Sequence, residues 1–376
     1  MSSKRIISAV TNDLVGDQRI HKSAMTLLKA GWEPELVGRS IKHSEPVKRD
    51  YRTRRFRLLF NKGPFFYACY NIRLFCYLLI ARADLFLAND LDTLPAVWMA
   101  SKLRRIPYVF DSHEYFTEVP ELVNRRVVQK IWKGIEGLLL PRTRFMITVN
   151  KEIAKLFEQE YNIKAQVLMN VPCKLRGDSQ EPQGQIPKAF EGKILIIYQG
   201  AVNEGRGLEE IIDAMPKLPG HALLIIGGGD IFDKLQKRVA VMNLKSRVHF
   251  TGRLPMEELS WYTQQAIIGI SLEQDRGLNY RLALPNKLFD YMHAGLPVLV
   301  SDLPVMGSLV KEINFGTVTN EFDPESLAAK ILDMTTDQER YEGWKDSALK
   351  GSDKFTWESQ ESVLISVCEA ASGKRT

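Results

Sequence analysis

Short apolar runs alternate with amphipathic stretches along most of the chain, so the hydrophobic period switches repeatedly between two and about 3.6. RIISAV (5–10) predicts a strand, and IHKSAMTLLKAG (20–31) an amphipathic helix that Gly31 ends. PELVGRS (34–40), DLFLAND (84–90), PYVFDS (107–112) and RFMITV (144–149) predict further strands. Between and after them, TLPAVWMASKLRR (93–105) and NKEIAKLFEQEYN (150–162) have helical spacing, with Asn150 as a cap. Repeated β-α-β order predicts a parallel sheet with helices on both faces.

The stretch 174–192, rich in Gly, Pro and Gln, has no period and predicts a linker. The pattern then restarts: KILIIYQG (193–200), HALLIIGGG (221–229), RVHFTG (247–252), IIGISL (267–272), PVLVS (297–301) and FGTVT (315–319) predict strands interleaved with helices. A last helical stretch, WESQESVLISVCEA (357–370), lies beyond any strand it could serve. A chain of 376 residues exceeds what one core usually organises. The expected fold is α/β, with two doubly wound, Rossmann-like parallel-sheet domains at 1–173 and 193–353, followed by a segment 354–376. Ligands of such sheets sit at the C-terminal ends of the strands.

Composition narrows the classes. Hydrophobic residues at 45% and charged residues at 26% are ordinary for a soluble globular protein, and a net charge of +6 decides little alone. Cys69, Cys76, Cys173 and Cys368 form no CxxC pair, which fits a reducing, cytoplasmic location and no structural zinc. Cys69 and Cys76, one helical repeat apart, read as core residues. MSSKRIISAVTND lacks a signal-peptide pattern, and no uncharged apolar window of about 18 residues is present to predict a membrane span. No GxGxxG follows the first strand, which argues against a dinucleotide dehydrogenase.

Two segments carry candidate chemistry. QGAVNEGRGLEE (199–210) joins a strand to a helix, and Gly200 and Gly205 let backbone N–H groups approach an anion while Arg206 adds a planar donor fork. A flexible surface loop is the alternative. GGGD (227–230) is either a sharp turn or a second anion-binding loop. In LALPNKLFDYMHAGLPVLVSD (282–302), Pro285 fits a first-turn position and Gly295 a helix stop, giving a helix over 286–294. Lys287 and Asp290 are neighbours at i and i+3: a surface ion pair, or a phosphate cation beside an acceptor for ribose hydroxyls.

PNKLFDYMHAGLPVLVSD resembles the signature of the retaining, nucleotide-sugar-dependent glycosyltransferases of family 4, which have the GT-B fold. GDQRIHKSAMTLLKAGWEPELVGR, FDSHEYFTE, VLMNVP, YQGAVNEGRGLEEII, VHFTGRLP and KFTWESQE match in order. The resemblance implies that Arg206 and Lys287 bind the donor diphosphate and that Asp290 holds the ribose, in the place of the second glutamate of an E-x7-E motif. The first glutamate falls at Leu282, which leaves Glu273 or the backbone N–H groups of Leu284, Pro285 and Asn286 as the available region for the transferred sugar, Pro285 itself carrying none. GAV replaces the arginine-bearing start of the phosphate loop. Gly252 and Arg253 correspond to the segment lining the base pocket. His113, in FDSHE, corresponds to a histidine that contacts the donor sugar, with Glu114 beside it as a substrate contact or helix cap. Asp17 lies in the acceptor-side loop and reads equally as a cap. The final segment is expected to cross back to the first domain.

The expected function is retaining transfer of a sugar from a nucleotide-diphosphate donor to a glycan or lipid-linked acceptor, in cell-envelope polysaccharide synthesis. No cofactor and no metal ion are expected, and DLDT (90–93) is discounted as a metal pair. The basic, aromatic stretch 48–82 is read either as an interfacial segment on anionic lipid at the inner face of a membrane or as a basic loop followed by a buried helix. It lacks the pattern of a nucleic-acid-binding module, so no nucleic-acid partner is expected. The rivals are a nucleotide-sugar 2-epimerase, which needs cleft histidines among His221, His249 and His293, and a non-catalytic nucleotide-sugar-binding protein.

Overall fold

The computed structural model describes residues 3–42, 44–123, 125–174 and 186–373. Of the expected linker at 174–192, residues 175–185 lie outside the described residues. The chain forms two compact units, one of Met1–Asn170 with Trp357–Thr376 and one of Val171–Thr356.

The first unit is built on seven parallel strands in the order β3-β2-β1-β4-β5-β6-β7. They are β1 (Arg5–Ala9), β2 (Glu33–Ser40), β3 (Arg52–Arg57), β4 (Leu85–Asn89), β5 (Tyr108–Ser112), β6 (Met146–Thr148) and β7 (Ala165–Val167). The sequence pattern does not announce β3, RTRRFR, because its arginines read as a solvated loop. It is an edge strand, where cations suit the open side, and Arg54 pairs with Glu35 of β2 at 3.3 Å. The helix Gln18–Lys29 is capped by Asp17, whose carboxylate accepts from the Ile20 N–H at 3.1 Å. Asp17 is therefore a cap. The helix Glu361–Gly373 belongs to this unit: Leu364, Val367, Cys368 and Ala371 share one apolar cluster with Ile6, Leu27, Leu85 and Val109. Burial pushes the Cys368 thiol up to about 12. Cys76 is exposed rather than part of a core, a correction to its helical-repeat reading.

The second unit holds six parallel strands in the order β10-β9-β8-β11-β12-β13. These are β8 (Ile194–Gln199), β9 (His221–Ile226), β10 (Val248–Gly252), β11 (Ile268–Ser271), β12 (Val298–Ser301) and β13 (Gly316–Thr319). Both sheets have helices on their faces, so the α/β doubly wound reading is correct. In each sheet the strand order reverses once, between β1 and β4 and between β8 and β11. A crevice opens at such a reversal because the flanking connections leave to opposite faces.

Candidate functional site

The residues singled out in the second half converge at the reversal between β8 and β11. The loop after β8 carries Gly200 to Arg206, β11 runs into Glu273, and the helix Asn286–His293 brings Lys287. Pro285 stands at the cap position, one residue before the expected first turn, with no side-chain cap bond. Gly295 closes that helix at φ 64°, and the Leu296 N–H reaches back to Tyr291 O at 2.9 Å. These local signals fix where Lys287 emerges. Its Nζ lies 2.9 Å from Glu273 Oε1 and 4.0 Å from the centre of the Tyr198 ring. Arg206 Nη1 approaches the same Glu273 oxygen at 3.4 Å, and its guanidinium lies 4.9 Å from the Tyr280 ring centre. Ser271 Oγ donates to the other Glu273 oxygen at 2.6 Å.

Two cations thus meet on one carboxylate oxygen. Burial alone would push the Glu273 carboxyl up; Lys287 and Arg206 outweigh it and hold the group below the usual carboxylate range. Burial likewise disfavours the charged Arg206, and Glu273, Tyr280 and Tyr198 together more than compensate. The Arg206 Nε is buried without a hydrogen-bond partner. That donor remains available to an acceptor brought in by a ligand.

Asp290, one turn beyond Lys287, accepts from Gln199 Nε2 at 2.9 Å, and Thr263 Oγ1 donates to Gln199 Oε1 at 2.9 Å. Gln199 therefore orients the carboxylate proposed for the ribose, a role that a polar residue ending an apolar strand signals only weakly. Gly200 and Gly227 follow β8 and β9, and Gly252 ends the adjacent β10, its carbonyl accepting from the Gly227 N–H at 2.8 Å. A Cβ on Gly227, at φ 136°, would lie 1.8 Å from Gly200 O, so GGGD is in part a packing requirement. Arg253 lies beside these glycines, its Nε 3.5 Å from the point where a Gly228 side chain would begin. Asn286 is exposed at the helix start, while Leu284 and Pro285 are half-buried. Gly205 O accepts from the Gln274 N–H at 2.9 Å, which ties the loop to the chain after Glu273.

The three histidines needed by an epimerase do not gather here. His221 opens β9 at the opposite end of the sheet from Gly227, His249 packs edge-on to Phe190, and His293 contacts Phe355 O at 2.9 Å.

His113, Glu114 and Asp17 belong to the first unit, where a second polar cluster occupies the reversal between β1 and β4. Thr11 Oγ1 donates to Asp92 at 2.6 Å, and burial, with Asp90 nearby, pushes the Asp92 carboxyl up to about 7. Arg19, 3% exposed, pairs with Asp111, 1% exposed, at 2.7 Å and donates to Leu168 O at 2.8 Å. His113 stands between carboxylates, Nδ1 3.3 Å from Asp90 and Nε2 3.2 Å from Asp111. Burial alone would lower its pKa; Asp90 and Asp111 outweigh burial and the nearby Arg19, and lift it to about 9. Protonation of the ring is thereby favoured, with Nε2 within hydrogen-bond reach of Asp111 and the backbone N–H donating to Asp90 at 2.8 Å. Glu114 O accepts from Ser112 Oγ at 2.7 Å. Among the described residues, no group of three or more His, Cys, Asp or Glu side chains is placed to hold a metal ion.

A folded pKa of about 9 against an ordinary 6.5 means that the folded chain binds the proton more tightly. The stabilisation is complete below about pH 6.5 and lost as pH rises through about 9. Urea unfolding of the wild type and His113→Gln should therefore differ most near pH 6 and converge by about pH 9.5, with a gap of at most about 3 kcal/mol. A gap independent of pH would show that the ring is neutral.

Residues 179–351 match the family model described as "Glycosyl transferases group 1". The amylovoran biosynthesis glycosyltransferase AmsK of Erwinia amylovora is 24% identical over 64% of this chain and 65% of its own length. The matched stretches span 52% to 65% of the length of the first curated relatives. Sucrose-phosphate synthase from Thermosynechococcus elongatus superposes with a TM-score of 0.73 at 18% identity, covering 97% of this chain and 98% of that one. Anabaena HepE, solved in complex with UDP-glucose, does so with a TM-score of 0.73 at 14% identity, covering 98% and 100%. The fold is the two-sheet GT-B architecture of glycosyltransferases.

Proposed function

We propose that this protein is a retaining glycosyltransferase that takes a sugar from a nucleotide-diphosphate donor, without a cofactor or metal ion. The observation that carries the reading is the meeting of Arg206 and Lys287 on one buried oxygen of Glu273, 3.4 and 2.9 Å away, at a strand-order reversal. The group 1 family match over this unit and the UDP-glucose complex of HepE support a nucleotide-sugar donor.

In this reading a diphosphate takes up the donors of Arg206 and Lys287, and Asp290, oriented by Gln199, accepts from the ribose. As the anomeric carbon–oxygen bond breaks, charge grows on the leaving phosphate, where the preorganised cations stabilise it. The acceptor oxygen attacks on the same face, and its proton passes to the departing phosphate oxygen. The acceptor is a glycan or lipid-linked glycan met by the first unit, His113 serves the donor sugar, and the enzyme works in the cytoplasm. The similarity, at 25% identity over 55% of this chain, to a protein named lipopolysaccharide glucosyltransferase WaaG of Escherichia coli supports this acceptor class.

Leu282 favours a second reading, a protein that binds the donor without turning it over. Its apolar, buried side chain offers no hydrogen bond where the family carries a glutamate.

A melting panel with UDP-, GDP-, ADP- and TDP-sugars tests the donor site, because a ligand that binds only the folded state raises the melting temperature. One base should stand out, and Asp290→Ala should remove most of its shift. Equal, weak shifts from all four would overturn the assignment. A clear shift with no release of nucleotide diphosphate from the donor in the presence of any acceptor would favour the second reading.

A further inference from the structure

The first unit carries an apolar, cationic face on the helices Gly63–Ile80, Leu94–Arg104 and Arg126–Leu139. The first packs on the second and the second on the third. Tyr67 and Trp132 also join the first to the third, with ring centres 5.2 Å apart. The sequence expectations do not include the third helix. Each helix leaves large apolar side chains in water: Ile72 is 65% exposed, Leu103 69% and Ile131 58%, with Phe65, Ile80 and Val127 continuing the surface. Isolated exposed apolar residues are ordinary; several on adjoining helices of one domain form an interaction surface.

Charge selects the occupant. Glu136 is the sole carboxylate within the three helices, and it is buried, accepting from Thr117 and Tyr161 at 3.0 Å. Lys102, Lys130 and Arg126 are exposed on these helices, while Lys133 pairs with Glu118 at 2.6 Å and Arg73 donates to Arg57 O at 2.8 Å. Two copies of such a face would oppose like charges, whereas an anionic lipid surface complements both the cations and the apolar groups. The helix Gly63–Ile80 is long and apolar enough to cross a bilayer by composition. Its other side is committed to the domain: Phe66, Tyr70, Leu74 and Leu78 are buried, and Tyr70 Oη reaches Val10 O and, at 3.1 Å, Val37 O. Withdrawing it into lipid would strip the sheet of that cover.

We infer that this three-helix face lies flat on an anionic membrane, its apolar side chains in the headgroup boundary and its lysines and arginines on lipid phosphates. The sequence expectation located membrane contact within residues 48–82; this surface adds two helices outside that stretch. It stands whether or not the second unit binds a nucleotide sugar.

Flotation of the full chain with vesicles of phosphatidylcholine alone, or mixed with phosphatidylglycerol, tests the inference. The wild type should float with the mixed vesicles, release in carbonate, and remain behind with phosphatidylcholine alone. Lys102→Gln/Lys130→Gln should weaken binding roughly 25-fold, about fivefold per lysine. Ile72→Asp/Leu103→Asp/Ile131→Asp should abolish it while melting like the wild type, since all three side chains already face water. No flotation, equal flotation of the triple variant, or retention after carbonate treatment would overturn the inference. So would duplex DNA binding without vesicle binding, or a dimer that the triple variant dissolves without any vesicle binding.

Discussion

Lys287→Ala should lower donor turnover by about 10²–10³-fold, the usual loss when one preorganised donor to developing charge is removed. Two effects contribute. The ammonium at the head of the helix Asn286–His293 is lost, and Glu273 keeps the Ser271 hydroxyl at 2.6 Å but only the longer cationic contact to Arg206, at 3.4 Å. Because Glu273 is 1% exposed and Lys287 7%, breaking their pair also costs about 3–5 kcal/mol of stability. The measurement is release of nucleotide diphosphate at a temperature where the variant stays folded, with its melting curve recorded alongside. Lys287→Arg separates the effects: a guanidinium keeps the charge and so restores much of the stability, but its longer, planar fork misplaces the donors and leaves turnover depressed. Wild-type turnover in a folded Lys287→Ala would remove this lysine from the chemistry.

Arg19→Met should destabilise the first unit by about 3–5 kcal/mol, the largest effect expected away from the donor site. Methionine fills much the same space, so the loss comes from the charge. Asp111, 1% exposed, would keep only His113 at 3.2 Å, and Leu168 O would lose its donor. The loss should be read from urea unfolding at neutral pH. Adding Asp111→Leu should recover part of it, since an apolar pair replaces a half-broken ionic one at little cost. If Arg19→Met is as stable as the wild type, the buried pair contributes nothing measurable.

What was legible in the sequence was mostly local. Gly295 as a stop and Asn150 as a cap depend on neighbours within one turn, and both stand where the pattern places them. Alternating strand and helix periods report directly on burial, so the parallel sheets were legible too. The pair Arg206 and Lys287 could be chosen from residue type and loop context. Their meeting point could not: Glu273 lies 67 positions from Arg206 and 14 from Lys287, and a carboxylate ending a strand looks like any surface charge. The same holds for Arg19 and Asp111, 92 positions apart, and for Gln199 and Asp290, 91 apart. The helix Arg126–Leu139 is strongly two-sided, apolar at positions 127, 128, 131, 132, 135, 138 and 139 and polar opposite, so it too was legible although the strand-led reading passes over it.

The placement of Trp357 bears on how the molecule is made. Its indole Nε1 donates to Thr26 Oγ1 at 2.8 Å, and the helix after it fills the apolar cluster of the first unit. A ribosome delivers that tryptophan only after all of the second unit has emerged. The half that is translated first must therefore wait, with a hydrophobic hollow unfilled, until the whole of the later half has been synthesised. Severing the polypeptide at the boundary after residue 170 would leave the early half permanently short of its own interior.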